Sequence, residues 1–152
     1  MVAMAKADKI TLETQDNYQK QTYRNRAYIA HSNGKLLLNI PIRHSKNIRH
    51  QKTKDVAPEN NFSWLAEHWK SIQVAYRTSP YFEFYEDEFK ELFDNQKNFL
   101  LDFNLECITV INRCLGFEPK ISFSDQFSKT SLRTDYRFLV NARKEPLIET
   151  DP

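Results

Sequence analysis

The chain has 152 residues, of which 40% are hydrophobic, 28% are charged and only two are glycine. This length and composition predict one globular domain over residues 1–152 and exclude the disordered and fibrous classes of protein. No apolar run approaches the roughly 18 residues of a membrane span, and no signal peptide precedes the first charges. We therefore expect a cytoplasmic protein without a membrane span.

Charge is distributed unevenly along the sequence. Residues 1–54 contain 11 lysine and arginine residues against three acids, a net charge of +8. Residues 55–152 contain 11 against 17, a net charge of −6, and the two parts together give the +2 of the whole chain. Such asymmetry favours a basic face that binds an anion.

The first predicted elements are a helix end, a strand and a β-hairpin. Residues 1–8 have the pattern of the tail of an amphipathic helix, and the alternation in residues 9–13 predicts a strand. The hairpin has predicted strands at 27–30 and 35–42. Asn33-Gly34 is its predicted turn, because both central residues of a type I′ turn need a positive φ.

The segment directly before this hairpin is rich in side chains that can bind an anion. They are Gln19, Lys20, Arg24, Asn25 and Arg26. A crowded polar segment beside a rigid hairpin favours a binding site, since functional residues are often found on loops held by a scaffold. A basic surface loop next to an ordinary hairpin is the alternative interpretation, and the spacing leaves both open.

A second basic segment covers residues 43–54, with a lysine or arginine at every third position: Arg43, Lys46, Arg49 and Lys52. It is either a solvated loop or a phosphate-facing segment, since such side chains form charge-assisted hydrogen bonds to phosphate oxygens. Its two histidines have no cysteine or carboxylate between them, whereas structural zinc needs four closely spaced ligands. We predict no metal site and no cofactor.

Helical periodicity follows, with predicted helices at 64–77, 81–94, 97–115 and 128–139 and a last strand at 121–124. Ser63 and Ser79-Pro80 are predicted helix starts, and Gly116 is predicted to end the third of these helices in a left-handed conformation. This order of elements predicts an α/β fold, with a mixed sheet, a β-hairpin and several packed helices.

The helix at 97–115 contains both cysteines and an asparagine on its apolar face. Cys107 and Cys114 are seven residues apart, so their Cα atoms should lie roughly 10 Å apart, beyond the roughly 7 Å limit of a disulfide. We expect free thiols in the core. Asn104 would need a hydrogen-bond partner if it is buried.

Four blocks of the sequence carry a resemblance: YQKQTYRNR, NGKLLLNIPI, HWKSIQVAYRTSPYFEFYED and NFLLDFN. In one register from about Ala3 to Pro152, the chain resembles the WbqC-like protein family. That family is found mostly in gene clusters for bacterial O-antigen and other surface polysaccharides. The resemblance implies a part in such biosynthesis, with transfer of glycine or another acyl group to an amino sugar as the suggested reaction.

Both ends of the chain depart from the family pattern. Family members usually begin with a short strand and a Phe-Pro-Pro-type loop, and they continue past the equivalent of Pro152 into a block with an aromatic-Gln-Val-Phe pattern. The resemblance therefore covers the middle of such a protein and predicts a chain that is incomplete at both termini.

The first functional hypothesis is an enzyme that acts on a nucleotide-linked amino sugar or another phosphorylated small molecule. Under this hypothesis Lys20, Arg24 and Arg26 hold the diphosphate, and Gln19 and Asn25 orient the substrate. His68, which the family block retains, is the candidate general base, because its ordinary pKa suits proton transfer near neutrality. Packing of His68 at the edge of the core is the alternative interpretation.

The second hypothesis is a non-catalytic protein that binds an anionic partner, either a sugar nucleotide or single-stranded nucleic acid. Basic residues interleaved with tyrosines can follow a nucleic-acid backbone while the bases stack. The net charge of −6 over residues 55–152 argues against nucleic acid, because it would repel a long polyanion. A compact diphosphate fits the charge pattern better.

Overall fold

The computed structural model describes residues 2–43, 50–129 and 134–142, in which helices and strands alternate along the chain. The strands are β1 (Lys9–Leu12), β2 (Arg26–His31), β3 (Gly34–Asn39) and β4 (Lys120–Phe123). The helices are α1 (Val2–Ala5), α2 (Trp64–Tyr76), α3 (Phe82–Asp94) and α4 (Leu100–Cys114), with 3₁₀ turns at Thr53–Asp55 and Arg137–Val140. The predicted α/β class, with a hairpin and several packed helices, is confirmed.

The strands pair in two small sheets. β1 and β4 are parallel, with Ile10 opposite Ile121, and β2 and β3 are antiparallel, with Tyr28 opposite Leu37. The parallel and antiparallel parts of the predicted mixed sheet thus form separate two-stranded sheets within the described residues. One reason lies at the edge of β2, where the Ala30 N–H donates to the Tyr76 hydroxyl of α2 at 3.1 Å. A helix side chain occupies this edge of the hairpin.

The hairpin lies where it was predicted, but its turn is one residue earlier. Because His31 pairs with Gly34, the two residues in the turn are Ser32 and Asn33. Gly34 has a φ of 107°, whereas Asn33 does not have a positive φ, so the prediction of a type I′ turn at Asn33-Gly34 is wrong. The His31 Nδ1 atom accepts a hydrogen bond from the Asn33 N–H at 3.4 Å and helps to hold this turn.

The predicted end of α4 is confirmed. Gly116 has a φ of 73°, its N–H donates to the Arg113 carbonyl at 3.0 Å, and the Phe117 N–H donates to the Asn112 carbonyl at 3.1 Å. These two bonds form a Schellman motif, in which glycine tolerates the left-handed conformation that ends the helix.

Two predicted helix starts lack side-chain caps, and one predicted helix is wrong. Ser63 precedes α2 without a capping hydrogen bond from its side chain. α3 begins only at Phe82, after Tyr81 in a left-handed conformation, so Ser79-Pro80 does not start it. The helix predicted at 128–139 is absent from the described part of that range, which contains only the beginning of the 3₁₀ turn at Arg137–Val140; residues 130–133 lie outside the description.

A buried cluster joins the hairpin to the three long helices. It consists of Ile40, Val56, Trp64, Leu92, Leu100 and Phe103. The Phe103 ring lies edge-on to the rings of Trp64 at 5.2 Å and Phe93 at 5.9 Å between centroids. Because Ile40 directly follows β3, this core fixes the base of the hairpin against α2 and α4.

Both cysteines are free, as the sequence predicts, but only Cys107 packs against the core cluster, so the predicted core position of Cys114 is wrong. Burial raises the pKa of the Cys107 thiol to about 12, and the nearby Glu106 carboxylate adds to this effect. Burial also raises the pKa of Cys114, whose Sγ donates to a Glu88 carboxylate oxygen at 3.5 Å. The thiolate is the nucleophilic form of cysteine, so neither thiol has the character of a catalytic nucleophile.

Candidate functional site

The polar segment before the hairpin folds into a tight loop around Thr22. This buried side chain donates from Oγ1 to the Gln19 carbonyl at 3.0 Å and accepts from the Arg24 N–H at 3.4 Å. Gln21 has a φ of 60°, which the compact turn requires. A small hydroxyl residue that bonds its neighbours' backbone is well suited to such a turn.

Arg24 points away from solvent into the base of this loop. Its guanidinium forms an ion pair with Asp16, and the two side chains are only 13% and 14% exposed. The Asp16 carboxylate also accepts from the Thr53 Oγ1 at 2.5 Å, and the Arg24 carbonyl accepts from the Asn104 Nδ2 of α4 at 2.8 Å. Asn104 therefore has the partner that the sequence required, and Arg24 connects the loop to two other parts of the chain.

Asn25 and Arg26 lie at the base of the hairpin, opposite Asn39. The Asn25 Nδ2 donates to the Ile40 carbonyl at 3.0 Å and to the Asn39 Oδ1 at 3.3 Å. The Arg26 Nε donates to the same Asn39 oxygen at 3.2 Å. The Asn25 Oδ1 is buried and has no hydrogen-bond partner among the described residues. These contacts fix both side chains where the loop enters β2.

Asn25, Arg26 and Asn39 line a cleft of about 570 Å³, which we call the hairpin cleft. Its polar wall consists of Lys20, Gln21, Asn25, Arg26, Asn39, Arg43 and Glu59. Its remaining wall consists of Tyr18, Ile40, Pro41, Ile42 and Phe62. Three predicted site residues, Lys20, Asn25 and Arg26, thus lie together in one cleft, whereas Gln19, Arg24 and His68 do not line it.

The hairpin cleft combines positive charge with hydrogen-bonding and aromatic groups. Lys20, Arg26 and Arg43 supply three cations, and Glu59 is the one carboxylate in the described wall. Arg43 is the member of the second basic segment that reaches this cleft; residues 44–49 lie outside the description. Phe62 is 63% exposed, so its ring is available to a planar group. The arrangement suits a small anion that carries further polar groups.

Tyr18 completes the wall as a hydrogen-bond donor. Burial raises the pKa of its phenol, and the positive charges of Arg24 and Arg26 oppose this shift. The ordinary pKa of a phenol already lies well above neutrality and the net shift is upward, so the hydroxyl is protonated and can donate to an anionic oxygen.

His68 lies inside the protein, next to the hairpin cleft but not in its wall. Its ring is buried edge-on against Trp64 at 5.4 Å, and its Nε2–H donates to the Asn39 carbonyl at 3.2 Å. The carbonyl can only accept, which places the proton of the neutral ring on Nε2. His68 therefore holds the end of β3 through its hydrogen bond to the Asn39 carbonyl.

Burial lowers the pKa of His68 below its ordinary value of 6.5, which outweighs the opposing effects of the Asn39 carbonyl and Glu67. The unfolded chain then binds more protons than the native state, so the His68 contribution to stability is complete above the ordinary value and is lost as the pH falls below it. We expect the free energy of unfolding to fall between about pH 7.5 and pH 5, and His68→Gln to reduce this slope.

Urea denaturation of both proteins at the two pH values measures this slope. His50→Gln, which removes an exposed histidine, is the matched control. If the free energy of unfolding depends on pH equally in His68→Gln and in the unchanged protein, this dependence does not come from His68.

A second cleft, of about 390 Å³, lies between α3 and α4. Its charged wall includes Glu91, Asp94, Glu106 and Arg113, and Glu106 forms an ion pair with Lys97 at 2.6 Å. None of the predicted site residues lines this cleft. Its carboxylates belong to the mainly solvated acidic surface of these helices.

Several residues of the hairpin cleft are not predicted as site residues by the sequence, among them Tyr18, Gln21, Asn39, Glu59 and Phe62. Asn39 is the last residue of β3 and pairs with Arg26, so the hairpin register could have indicated it. Tyr18 is the first residue of the family block YQKQTYRNR, and its position in the sequence does not indicate that it lines the cleft. The Glu59 N–H donates to the Pro41 carbonyl at 2.8 Å, and this bond brings the segment with Glu59 and Phe62 to the cleft. No local sequence pattern predicts this bond.

The chain is a mixed α/β protein, and its hairpin cleft is lined by three cations and one carboxylate within the described residues. The chain belongs to the WbqC-like protein family, whose profile matches residues 1–145. Family membership links it to polysaccharide biosynthesis at most and identifies no reaction or substrate. No curated protein and no solved structure matches the chain. Within the described ranges, none of the helices has the length and apolar character needed to cross a membrane.

Proposed function

We propose that the protein binds a nucleotide-linked amino sugar in the hairpin cleft and transfers glycine or another acyl group to its amine during surface-polysaccharide biosynthesis. The observation that supports this proposal is the convergence of Lys20, Arg26 and Arg43 on one cleft. In the described residues these three cations form none of the ion pairs that hold the fold. Cations without such a structural role are available to a phosphorylated ligand.

The three cations are proposed to bind the diphosphate, with the Tyr18 hydroxyl as a further donor. Arg26 is the best-placed of them, because its Nε bond to Asn39 fixes the side chain and leaves other guanidinium N–H groups for bidentate contacts. Phe62 offers its exposed face to the base or the sugar. Arg24, paired with Asp16, holds the loop in this proposal instead of binding the phosphate.

In the proposed transfer, the amine nitrogen attacks the carbonyl carbon of an activated acyl donor. A C–N bond forms, the bond from that carbon to the leaving group breaks, and the amine proton passes to a base. We assign no proton transfer to His68, because its Nε2 is bonded to Asn39 and its ring does not line the cleft. The cytoplasmic location remains a prediction that fits a nucleotide-linked substrate.

Arg26→Ala is expected to weaken binding of UDP-glucosamine about 10-fold to 100-fold, because a hydrogen bond to a charged group contributes roughly 1.5–3 kcal/mol. Isothermal titration calorimetry at about 0.1 M salt measures the affinity. Arg77→Ala is the matched control, since Arg77 is exposed at the end of α2 and lies outside the cleft.

An Arg26→Ala protein with unchanged affinity would contradict the proposed position of the diphosphate. The alternative of a polyanion-binding protein is tested with single-stranded RNA in the same titration. RNA binding with a steep salt dependence, without binding of UDP-glucosamine, would overturn the transferase proposal in favour of that alternative.

A further inference from the structure

We infer that Glu59, together with the amide oxygen of Asn25, forms an amine-recognition subsite in the hairpin cleft, beside the three cations. This inference rests on the proposed function, because it concerns a ligand of the same cleft. It goes further in assigning two acceptors to a positively charged or N–H-bearing group of that ligand. The ligand class is thus a molecule with an anionic phosphate and an amine a few bonds apart.

Glu59 is held in place by the local backbone. Its N–H donates to the Pro41 carbonyl at 2.8 Å, and its Oε1 accepts from the Asn61 N–H at 3.3 Å. The side chain is half-buried in the cleft wall. A carboxylate fixed in this way retains acceptor capacity on both oxygens, because each carboxylate oxygen has two lone pairs.

The position of Glu59 among cations needs an explanation. Lys20, Arg26 and Arg43 line the same cleft, yet Glu59 forms no ion pair in the described residues. A carboxylate in a cleft that binds only an anion would weaken that binding through repulsion. If the ligand also carries an ammonium group, Glu59 attracts that group, and the phosphate contacts with the cations are unchanged.

Asn25 supplies an independent observation. It is 8% exposed, and both hydrogen bonds of its side chain are made by Nδ2. The Ile40 carbonyl can only accept, so Nδ2 must face it and the amide orientation is fixed by the network. The Oδ1 atom is consequently an acceptor without a partner in the described residues.

A buried acceptor without a donor is unfavourable, and a ligand N–H would satisfy it. The Oδ1 atom has almost no accessible surface, so a ligand reaches it only when neighbouring side chains move. Lys20 is a long side chain in the same wall, and rotamer changes of this kind are common on binding. Its contact with the phosphate would accompany the approach of the amine to Asn25.

The test compares two ligands that differ in one group, UDP-glucosamine and UDP-glucose, by calorimetric titration at about pH 6.5, where the amine carries its charge. We expect the unchanged protein to bind UDP-glucosamine about 10-fold more tightly than UDP-glucose, as one charge-assisted hydrogen bond allows. Glu59→Gln should abolish this preference while affinity for UDP-glucose stays within about 3-fold. The glutamine oxygen retains the acceptor for the Asn61 N–H, and a thermal melt checks folding.

Glu83→Gln, which removes an exposed carboxylate of α3, is the matched control. Equal binding of both ligands, or a Glu59→Gln protein that binds both more tightly by the same factor, would overturn the amine subsite and leave the proposed function standing. Failure of both ligands to bind the unchanged protein would overturn the proposed function and, with it, this inference.

Discussion

Replacing Phe103 with alanine is expected to lower the free energy of unfolding by about 3–5 kcal/mol, the range typical of removing a buried phenylalanine. Phe103 is 5% exposed and lies between the rings of Trp64 and Phe93. The loss combines buried apolar area, two edge-to-face ring contacts and the cavity that remains, since packed helices relax only partly around a missing ring. Urea denaturation followed by far-UV circular dichroism measures this change.

Phe84→Ala is the matched control for this prediction. Phe84 is 70% exposed on α3, so the same chemical change there should alter the free energy of unfolding by only about 0.5 kcal/mol. Similar losses for the two variants would contradict the assignment of Phe103 to the core.

The helices could be predicted because their cause is local. The apolar positions of α2, α3 and α4 recur at helical spacing, and one face of each helix contributes to the core. Gly116 also gave a correct end to α4, since its left-handed conformation satisfies the last carbonyls of the helix. The helices can be predicted from the apolar face that each one buries, and the end of α4 can be predicted from Gly116 alone.

The hairpin turn and the helix predicted at 128–139 show where local patterns were not sufficient. Asn33-Gly34 is a strong turn signal, yet the His31 ring nitrogen accepts from the Asn33 N–H and the positive φ is confined to Gly34. In the C-terminal segment, Arg137 bonds Asp135 and the carbonyls of Ser128 and Lys129. These side-chain contacts compete with a regular helix, and the sequence pattern does not reveal them.

The sequence predicts individual side chains for the candidate site, and only some of them line one cleft. Lys20, Asn25 and Arg26 line the hairpin cleft as the crowded polar segment indicated, whereas Arg24 is directed into the protein by Asp16. Nothing in the local sequence distinguishes Arg24 from Arg26, because their partners lie eight and thirteen residues away on either side. The three-dimensional pairing decides which arginine is free to bind a ligand.

That difference gives opposite expectations for the two arginines. Arg24→Met leaves the Asp16 carboxylate, 14% exposed, without its cation. Removal of one partner from a buried ion pair typically costs 3–5 kcal/mol, and the remaining exposure of this pair reduces the expected loss to about 2–3 kcal/mol. Arg26→Met removes one hydrogen bond to Asn39 and should cost only about 1 kcal/mol of stability.

A double-mutant cycle tests the pairing directly. Asp16→Asn alone should also destabilise the protein, but the double variant Arg24→Met with Asp16→Asn should lose at least about 1 kcal/mol less than the sum of the two single losses, because no unpaired charge remains. Losses that simply add would contradict the pairing.

Urea denaturation gives the four free energies, and titration with UDP-glucosamine well below the melting temperature gives the affinities. Arg24→Met should retain most of its binding and lose stability, whereas Arg26→Met should retain stability and lose binding, since only Arg26 lines the cleft.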